Sequence, residues 1–487
     1  MGRFVLLAWL VTVALAYAAL GGSFGMLIEG YDRARMAWWP GLLTVASGLV
    51  AFVLTVRWQW RSGAAGATPP PSARRRFLVG AASTGAGVLA SAAAVVARNF
   101  GWFDTSARHI FLVSPPQIAP EYEKGWAGST VREYRRLGRT DARVSDISLG
   151  SGSSTGGRLN VAAARDAIER GINYFDTAPD YAAEGSERIL GEAMKGHRDQ
   201  MFLATKFCNP HGHLGPGDSV EDYMEAVNAS LVRLQTDYVD LIHVHSCNTV
   251  ERLLDENVHE AFDRLKEQGK ARFLGVSTHT PDLETVATAA LDSQRFDVMM
   301  LAYHYGAWPK LGEIMDRAAR EDVGIVAMKT LRGAKHEGLL WSREERDSYC
   351  QAAFKWVLAN PSVSALVISI WDSQQIDEYL HASGSRLEAS DFAVLERYQE
   401  LTAGKHCRQH CGVCLSTCPE GLPIHDVLRQ RMYFEQGAEK EAMRLYAKLE
   451  RNASACLGCA APCTGACPDG IAIRDGMVRA HDLLTLG

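Results

Sequence analysis

This chain of 487 residues carries little net charge. The 51 Lys and Arg residues are nearly balanced by 56 Asp and Glu residues, which leaves a formal net charge of −5. A protein that binds nucleic acid usually presents a basic patch and stacking motifs, and neither is found in this sequence. Nucleic acid is therefore not a predicted partner.

Cysteine is scarce outside two short runs near the end of the chain. Of the 11 cysteines, only Cys208, Cys247 and Cys350 lie outside those runs. A disulfide framework usually spreads its cysteines through a small domain. The clustering instead indicates that the other cysteines bind metal or carry electrons.

Charge is also missing from two N-terminal segments, residues 4–27 and 38–56. About 20 apolar residues are enough to cross a bilayer, so both segments are predicted transmembrane helices. Tryptophans flank the second segment and are typical of a membrane interface. The alternative is a buried helical hairpin of a soluble domain.

An arginine-rich loop that contains no acidic residue follows the second segment. The positive-inside rule places this loop in the cytoplasm and predicts a third apolar helix that runs outward from Phe77. The stretch SARRRFLVG resembles a twin-arginine export signal, with Arg74, Arg75, Phe77 and Leu78 at the matching positions. The alternative is a third span with a positive flank. Both interpretations predict a membrane module over residues 1–103 and put the bulk of the chain on the outer, periplasmic face of the cell membrane.

Short apolar runs alternate with helical patterns from Tyr134 to Gly384. The candidate strands are SDISLGS, INYFDTA, MFLATKF, YVDLIHVH, ARFLGVST, FDVMMLAY, GIVAMKTL and SALVISI. Eight β-then-α units in about 250 residues predict a TIM (β/α)8 barrel, an α/β fold. Residues 104–133 would be a linker and residues 134–404 the barrel. Catalytic groups are expected at the carboxyl ends of the strands.

Four polar residues lie at or just after the ends of three successive predicted strands: Asp176, Tyr181, Lys206 and His245. An ammonium beside a phenol lowers the phenol pKa from about 10, and a carboxylate can hold the lysine in place. A phenol tuned in this way, next to a histidine, is a suitable general acid for a carbonyl that becomes an alcohol. Each residue alone has an ordinary structural explanation, but their shared location favours catalysis.

Several motifs resemble the aldo/keto reductase family across most of the predicted barrel. They are YRRLGRTDARVSDISLGSG, GINYFDTAPDY, GSERILGEAM, FLATKF, YVDLIHVHS and FKWVLANPSVSALVI. The resemblance implies carbonyl-reducing activity on a small-molecule carbonyl or alcohol substrate. It also implies that Asp176, Tyr181, Lys206 and His245 are the catalytic tetrad. His243 is a rival for the last role, but its place in the strand suits that role less well.

The resemblance implies a nicotinamide-binding site, but this chain has only some of the residues that the family usually has there. Ser277 and Thr278 stand where the family usually has Ser-Asn to hold the carboxamide, and Met300 stands where a glutamine is usual. Lys329, in the run AMKTL, is a further candidate for cofactor binding.

The phosphate-binding turn after the last strand departs further from the family. Ser369 and Ile370 replace the usual Pro-Gly, and Asp372 lies near the usual basic position. Ile370 would crowd the approach of a phosphate to the backbone. A carboxylate about 4 Å from a phosphate charge costs on the order of 4 kcal/mol at an effective dielectric near 20. NADPH is therefore disfavoured, and NAD(H) is the nicotinamide cofactor that this turn penalises less.

Two runs near the C-terminus contain four cysteines each, and each run ends in Cys-Pro. The ligand candidates are Cys407, Cys411, Cys414 and Cys418 in the first run and Cys456, Cys459, Cys463 and Cys467 in the second. Each run resembles the bacterial ferredoxin pattern with one extra residue, and eight thiolates suit two [4Fe–4S] clusters. Zinc is the alternative, because four close thiolates can also bind a zinc ion.

The residues between the runs have a helical pattern, which predicts an α-helical ferredoxin-like domain over residues 405–487. A branch of the aldo/keto reductase family carries such an iron–sulfur tail, and the chain resembles that branch. Iron–sulfur clusters are normally built in the cytoplasm, so an exported protein of this kind would need a route for folded proteins, such as the twin-arginine route.

These parts together predict a membrane-anchored oxidoreductase of the aldo/keto reductase type. It would act on a carbonyl or hydroxyl compound, for example a sugar, with electrons relayed through two [4Fe–4S] clusters and a membrane or soluble electron-transfer partner. One alternative is a cytoplasm-facing, NAD(P)H-dependent reductase with structural clusters. Another is a non-enzymatic barrel that binds a ligand or senses redox state, although a complete tetrad argues against it.

Overall fold

The computed structural model of the chain contains two compact units. It describes residues 2–15, 39–62, 84–92, 124–152, 159–182, 185–210, 212–307, 309–331, 348–402, 404, 407–408, 411–435 and 438–485. One unit comprises Met1–Pro115, Met443–Leu449 and His481–Gly487, and the other comprises Pro116–Ala442 and Glu450–Ala480. The second unit therefore contains the barrel together with both cysteine runs.

The first unit contains the helices of the apolar N-terminal segments. They are α1 (Gly2–Leu15), α2 (Trp39–Ser62) and α3 (84–92). Trp9 in α1 donates its indole N–H to the Thr55 hydroxyl in α2 at 3.1 Å. Large apolar side chains on both helices are exposed, including Phe4 and Leu49.

The structure does not support the predicted transmembrane helices. No helix in the described part of the chain combines the length and apolar character needed to cross a membrane. Helix α1 has 14 residues, short of the roughly 20 that a span requires. Helix α2 has 24 residues, but its last turns read VRWQWRS, which is polar and charged. Arg74, Arg75, Phe77 and Leu78 lie outside the described residues, so the twin-arginine interpretation stays a prediction.

The predicted barrel is confirmed: eight parallel strands form a closed ring. The strands are β3 (Ile147–Gly150), β4 (Tyr174–Asp176), β5 (Phe202–Asn209), β7 (Val239–Val244), β8 (Ala271–Thr278), β9 (Val298–Ala302), β10 (Gly324–Met328) and β11 (Ala365–Ser369). Strand β4 pairs in parallel with both β3 and β5, which closes the ring. All eight strands predicted from the sequence are present.

Helices and two short hairpins surround the barrel. The helices are α4 (Val161–Glu169), α5 (Gly185–Ala193), α6 (Val220–Leu234), α7 (Val250–Leu253), α8 (Glu256–Glu267), α9 (Leu283–Ser293), α10 (Pro309–Arg320), α11 (Tyr349–Leu358), α12 (Ser373–Leu380) and α13 (Ala389–Thr402). Strands β1 (Tyr134–Arg136) and β2 (Arg143–Ser145) form an antiparallel pair before β3. Strand β6 (Gly212–His213) folds back antiparallel onto the end of β5.

Two apolar clusters form the core of the barrel. One includes Tyr174, Leu241 and Met300 and fills the inside of the ring, and the larger one lies between the strands and the surrounding helices. Because both faces of each strand are covered, the strands are almost entirely apolar rather than alternating. This rigid layer fixes the strand ends, where the polar candidates lie.

The cysteine-rich segment consists of short helices joined by the two cysteine runs. The helices are α14 (Ile424–Glu435), α15 (Glu439–Ala447), α16 (Pro462–Gly465) and α17 (Ile473–Leu484). The first run precedes α14, and the second lies between α15 and α17. The helical character predicted between the runs is therefore confirmed.

Candidate active site

One cavity lies at the carboxyl end of the barrel strands, with an empty volume of about 860 Å³ that includes its open mouth. Its lining includes Gly150, Gly152, Asp176, Tyr181, Lys206, His245, Ser277, His279, Met300, Met328, Lys329, Thr330, Leu331, Val367, Ile368, Ser369, Met432 and Tyr433. All four predicted tetrad residues line it. In a TIM barrel this end of the strands is where chemistry is carried out.

The centre of the cavity is a buried ion pair between Lys206 and Asp176. Lys206 follows the apolar half of β5, and Asp176 is the last residue of β4, so the parallel pairing of the two strands brings them together. The Lys206 Nζ donates to Asp176 Oδ1 at 2.6 Å and to the Thr177 carbonyl at 2.7 Å. Burial raises the pKa of Asp176, and Lys206 opposes that rise. The pair fixes the ammonium beneath the Tyr181 ring, 4.9 Å from the ring centroid.

In this structure the pKa of Tyr181 is raised, although the sequence led us to expect a lowering by Lys206. Burial, followed by the charges of Asp176 and Asp180, raises the pKa of Tyr181 well above its usual value. The physical reason is that Lys206 donates to Asp176 and Thr177 rather than to the phenol oxygen, so its charge is largely offset. Tyr181 therefore holds its proton firmly, which suits the donor of a proton rather than a base.

His245 lies against Tyr181, with 3.5 Å between its Nε2 and the phenol oxygen. Burial lowers the pKa of His245 well below its usual value, so the imidazole is neutral at physiological pH. Its Nδ1 faces Asp180 at 3.7 Å, which points the other ring nitrogen towards Tyr181. The rival His243 is buried within β7 and does not line the cavity. Its ring packs so closely on Gly275 that a Cβ at that glycine would lie 2.5 Å from Nδ1.

The candidates for nicotinamide binding are only partly brought together. Ser277, Met300 and Lys329 line the cavity, whereas Thr278 and Asp372 do not. The Ser277 hydroxyl accepts the Ser246 N–H at 2.9 Å, so part of its hydrogen-bonding capacity is already used. Met300 offers the carboxamide no strong hydrogen bond. The residues therefore fit a nicotinamide incompletely.

Asp372 has a structural role that the sequence did not indicate. It is the N-cap of α12, where its Oδ1 accepts the Gln375 N–H at 2.9 Å. Ile370, two residues earlier, is fully buried. A helix N-terminus attracts anions, and here a carboxylate of the chain already occupies that position.

The cavity wall also contains residues that sequence reasoning missed. Met432 and Tyr433 come from α14, about 100 positions after β10, and the Lys329 Nζ donates to the Tyr433 hydroxyl at 2.8 Å. His279 lines the cavity immediately after β8. His279 could have been found from its position after a strand end. No local pattern distinguishes Tyr433 from an ordinary helix residue.

Two further contacts hold the cysteine-rich segment against the barrel. Arg429 pairs with Asp426 at 2.6 Å and lies 3.5 Å from the His279 Nδ1. Gly412, in the first cysteine run, packs on Pro281 so closely that an added Cβ would lie 2.6 Å from the Pro281 Cβ. The cysteine-rich segment therefore supplies part of the active-site wall.

The eight cysteines of the two runs converge in two groups that cross between the runs. Cys418 lines a small cavity with Cys456, Cys459 and Cys463 of the second run. Burial raises the pKa of Cys407 to about 12, and the neighbouring thiols that raise it further are Cys411, Cys414 and Cys467. In each group the fourth cysteine comes from the other run, which is the arrangement of two-cluster ferredoxins. Four converging thiols in each group fit a bound metal centre.

Comparison with protein families matches residues 147–347 to the aldo/keto reductase family. The L-galactose dehydrogenase of Arabidopsis thaliana is 27% identical over 311 residues, which is 55% of this chain and 96% of that protein. An uncharacterized oxidoreductase of Bacillus subtilis, YqkF, is 32% identical over 282 residues, which is 52% of this chain and 91% of that protein.

Solved structures give similar matches. The aldo-keto reductase AKR11C1 from Bacillus halodurans is 27% identical, with a TM-score of 0.45, and the match covers 57% of this chain and 99% of that one. An aldo-keto reductase from Klebsiella pneumoniae, solved in complex with NADPH, is 23% identical, with a TM-score of 0.44. The match covers 56% of this chain and 95% of that chain.

Proposed function

The chain belongs to the aldo/keto reductase family, and on this premise we propose that it interconverts a small carbonyl compound and its alcohol with electrons that pass through two [4Fe–4S] clusters. It is an oxidoreductase of the aldo/keto reductase type. One observation carries the proposal: α14 follows the first cysteine run directly and places Tyr433 in the wall of the cavity that contains Asp176, Tyr181, Lys206 and His245.

The tetrad supports a proton-donating role for the cavity. Reduction of a carbonyl to an alcohol consumes two electrons and two protons. One proton goes to the carbonyl oxygen, and the other goes to the carbonyl carbon together with the two electrons, as a hydride equivalent. Tyr181 keeps its proton because burial raises its pKa, and it lies in the cavity wall where a carbonyl oxygen can reach it. His245 is neutral and adjacent, so its Nε2 can orient that oxygen. Lys206 is bonded to Asp176 and lies 4.9 Å from the centroid of the Tyr181 ring, so the ion pair packs against that phenol.

The cysteine groups support the cluster part of the proposal. Each group offers four sulfur ligands, and the Cys-Pro endings and crossed pairing match ferredoxins rather than ordinary zinc sites. When bound, two such clusters would supply one electron each, and a hydride carrier would combine these electrons with a proton for transfer to the carbonyl carbon. The residues of the cavity fit a nicotinamide incompletely. NAD(H) remains the proposed nicotinamide if one binds, and NADPH is disfavoured.

The substrate class is proposed from the cavity and one relative. The cavity lining is polar around Asp176, Tyr181, Lys206 and His245, which suits a hydroxylated compound. The similarity to a dehydrogenase of L-galactose supports a sugar as the compound. A membrane or soluble electron-transfer partner would exchange electrons with the cysteine-rich segment.

Location on the outer face of the cell membrane is also a proposal. It is supported by the arginine-rich loop of the sequence and by the exposed apolar side chains of α1 and α2. A reporter that is active only in the cytoplasm, fused after Gly487, should stay silent. Replacement of Arg74 and Arg75 by Lys should retain the protein inside if a twin-arginine signal is used.

The electron route is tested by anaerobic turnover of a sugar aldehyde with a reduced viologen dye, NADH or NADPH as the donor. We expect turnover with the dye in the wild-type protein, loss of that turnover in Tyr181→Phe, and retention in Tyr238→Phe, a phenol outside the cavity. Turnover with NADH or NADPH but none with the dye would contradict the relay. That result would favour a nicotinamide-dependent reductase with structural clusters.

A further inference from the structure

We propose that Lys329 and Tyr433 form a subsite for a carboxylate, so that the enzyme prefers substrates that carry a carboxylate besides the reacting carbonyl or alcohol. The inference rests on the proposed function, because it assigns the class of substrate that the cavity accepts. Nothing in the tetrad itself requires a charged substrate.

The two side chains meet inside the catalytic cavity. Lys329 follows β10 directly, and Tyr433 comes from α14. The Lys329 Nζ donates to the Tyr433 hydroxyl oxygen at 2.8 Å and lies 5.5 Å from the centroid of its ring. Both residues line the same cavity as Tyr181, so one small molecule in this cavity can contact Tyr181 and the Lys329–Tyr433 pair.

Lys329 and Tyr433 offer more hydrogen-bond donors than acceptors to a ligand. A lysine ammonium has three donors and no acceptor, and one donor is used by Tyr433. The Tyr433 oxygen accepts from Lys329, so the phenol hydrogen can donate elsewhere. The pair therefore presents mainly donors and a positive charge to the cavity. The ligand that complements such a surface is an acceptor-only group with two oxygens, which is a carboxylate.

The charges around the cavity leave Lys329 as an unpaired cation. Among the described residues that line the cavity, Lys206 and Lys329 are the two lysines, and the one carboxylate, Asp176, is bonded to Lys206. Among the residues that the structure describes, no carboxylate lies within 4.0 Å of the Lys329 ammonium. The adjacent Arg429 is paired with Asp426. A substrate carboxylate would supply the missing partner.

Two further observations agree with a ligand site. Lys329 has a φ of +60°, a left-handed conformation that non-glycine residues rarely adopt and that tends to occur at functional sites. Although burial raises the pKa of Tyr433, Lys329 and Arg429 lower it below its usual value, which indicates a positive potential at the phenol.

The test compares pairs of compounds that differ only by CH2OH against a carboxylate: glycolaldehyde with glyoxylate, and glucose with glucuronate. Binding to the full-length protein, prepared anaerobically, is measured by calorimetry. A hydrogen-bonded charge contributes roughly 10- to 100-fold in affinity, so each carboxylate compound should bind that much more tightly than its neutral counterpart. Lys329→Met should remove the preference, because it removes the charge at similar volume.

Two variants serve as comparisons for Lys329→Met. Tyr433→Phe keeps the ring but loses one donor, so it should reduce the preference by only about 3- to 10-fold. Lys195→Met removes a lysine whose side chain is 54% exposed on the surface, and it should leave the preference unchanged. Lys329→Arg should retain most of the preference, because it keeps a cation at the same place.

Several outcomes would overturn the inference. It is wrong if neither carboxylate compound binds more tightly than its neutral counterpart, or if Lys329→Met leaves the preference intact. A phosphate group could complement the same donors, so NADH, NADPH and inorganic phosphate are measured in parallel. If Lys329→Met weakens binding of these phosphates and not of the carboxylates, the site belongs to a phosphate-bearing ligand. Binding is read without turnover, so failure of the dye-driven reaction would contradict the proposed function and leave this test interpretable.

Discussion

The catalytic cavity and the two cysteine groups differ in how their ionisable side chains are paired. In the cavity the buried Lys206 and Asp176 lie 2.6 Å apart, so each charge meets its opposite. In one cysteine group, burial raises the pKa of Cys456 to about 11, and the thiols of Cys418, Cys463 and Cys459 add to that rise against one opposing arginine. An ion pair therefore neutralises the first site, whereas the second site brings four thiols together, a ligand set that suits a metal centre.

The packing of the two regions follows the same division. The barrel is built on two large apolar clusters, whereas the second cysteine run contains only α16, a helix of four residues, Pro462–Gly465, and a short 3-10 turn. Segments with so little regular structure commonly depend on bound metal for their folding. Variants that disturb one region and spare the other therefore test the contrast.

The largest effect is expected from breaking the cavity ion pair. Asp176→Asn or Lys206→Met leaves a buried charge without a partner, which should cost about 3–5 kcal/mol of unfolding free energy. The double variant should recover much of that loss, because no unpaired charge remains. Denaturant unfolding of the four proteins gives the coupling energy.

The exposed pair of Lys195 and Glu192 is the matched control for that cycle. Its coupling energy should be below about 1 kcal/mol, because exposed ion pairs are screened by water. Equal coupling energies for the two pairs would mean that the cavity is more hydrated than its burial indicates.

Glu378 is an exception to the rule that the barrel pairs its buried charges. Burial raises its pKa to about 7, from a usual value of 4.5. In the folded state the carboxyl keeps its proton up to a higher pH than in the unfolded state, so stability falls as the pH rises from 4.5 to 7. Glu378→Gln should therefore be more stable than wild type by up to about 3 kcal/mol at pH 8, and by almost nothing at pH 4.5.

The measurement is thermal or denaturant unfolding of both proteins across this pH range. Glu396→Gln, an exposed substitution on α13, should show no comparable trend. A constant difference between Glu378→Gln and wild type at all pH values would contradict the assignment.

The contact between the two regions is tested at Gly412. A Cβ at this position would meet Pro281 at 2.6 Å, so Gly412→Ala should destabilise the packing of the first cysteine run on the barrel by about 1–3 kcal/mol. Gly458→Ala, in the second run, has open space around its Cβ and is the control. Hydrogen exchange should increase around α14 in the first variant only. Unchanged exchange in Gly412→Ala would mean that the two regions are not held together at this point.

The smallest effect is expected at the end of the barrel, where Asp372 caps α12. Asp372→Asn removes the charge but keeps a good N-cap, so stability should not change. If a nicotinamide cofactor binds, NADH should bind better than NADPH in the wild type, and the variant should narrow that gap by roughly tenfold, which is about 1.4 kcal/mol. Tighter binding of NADPH than of NADH by the wild type would contradict the assignment of this turn.

The sequence predicted the barrel and the gathering of the tetrad because both depend on local patterns. Each apolar run formed a strand, and parallel pairing then brought Asp176 and Lys206 together. The sequence did not indicate that Lys206 donates to Asp176 and Thr177, so the direction of the Tyr181 pKa shift was not predicted. Tyr433 was missed because its contact with Lys329 spans 104 positions and depends on how the cysteine-rich segment packs. Asp372 was interpreted as a charge near a phosphate, whereas its capping bond is visible only in three dimensions.

The central claim is that the two cysteine groups bind two [4Fe–4S] clusters in the crossed arrangement. It is tested most directly by the iron and acid-labile sulfide content of anaerobically purified protein. The wild type should contain roughly eight irons, four per cluster, and Cys418→Ser and Cys467→Ser should each lose one cluster and retain the other. About two zinc ions per chain with no labile sulfide, as expected for a pair of zinc sites with four thiolate ligands each, would contradict the account.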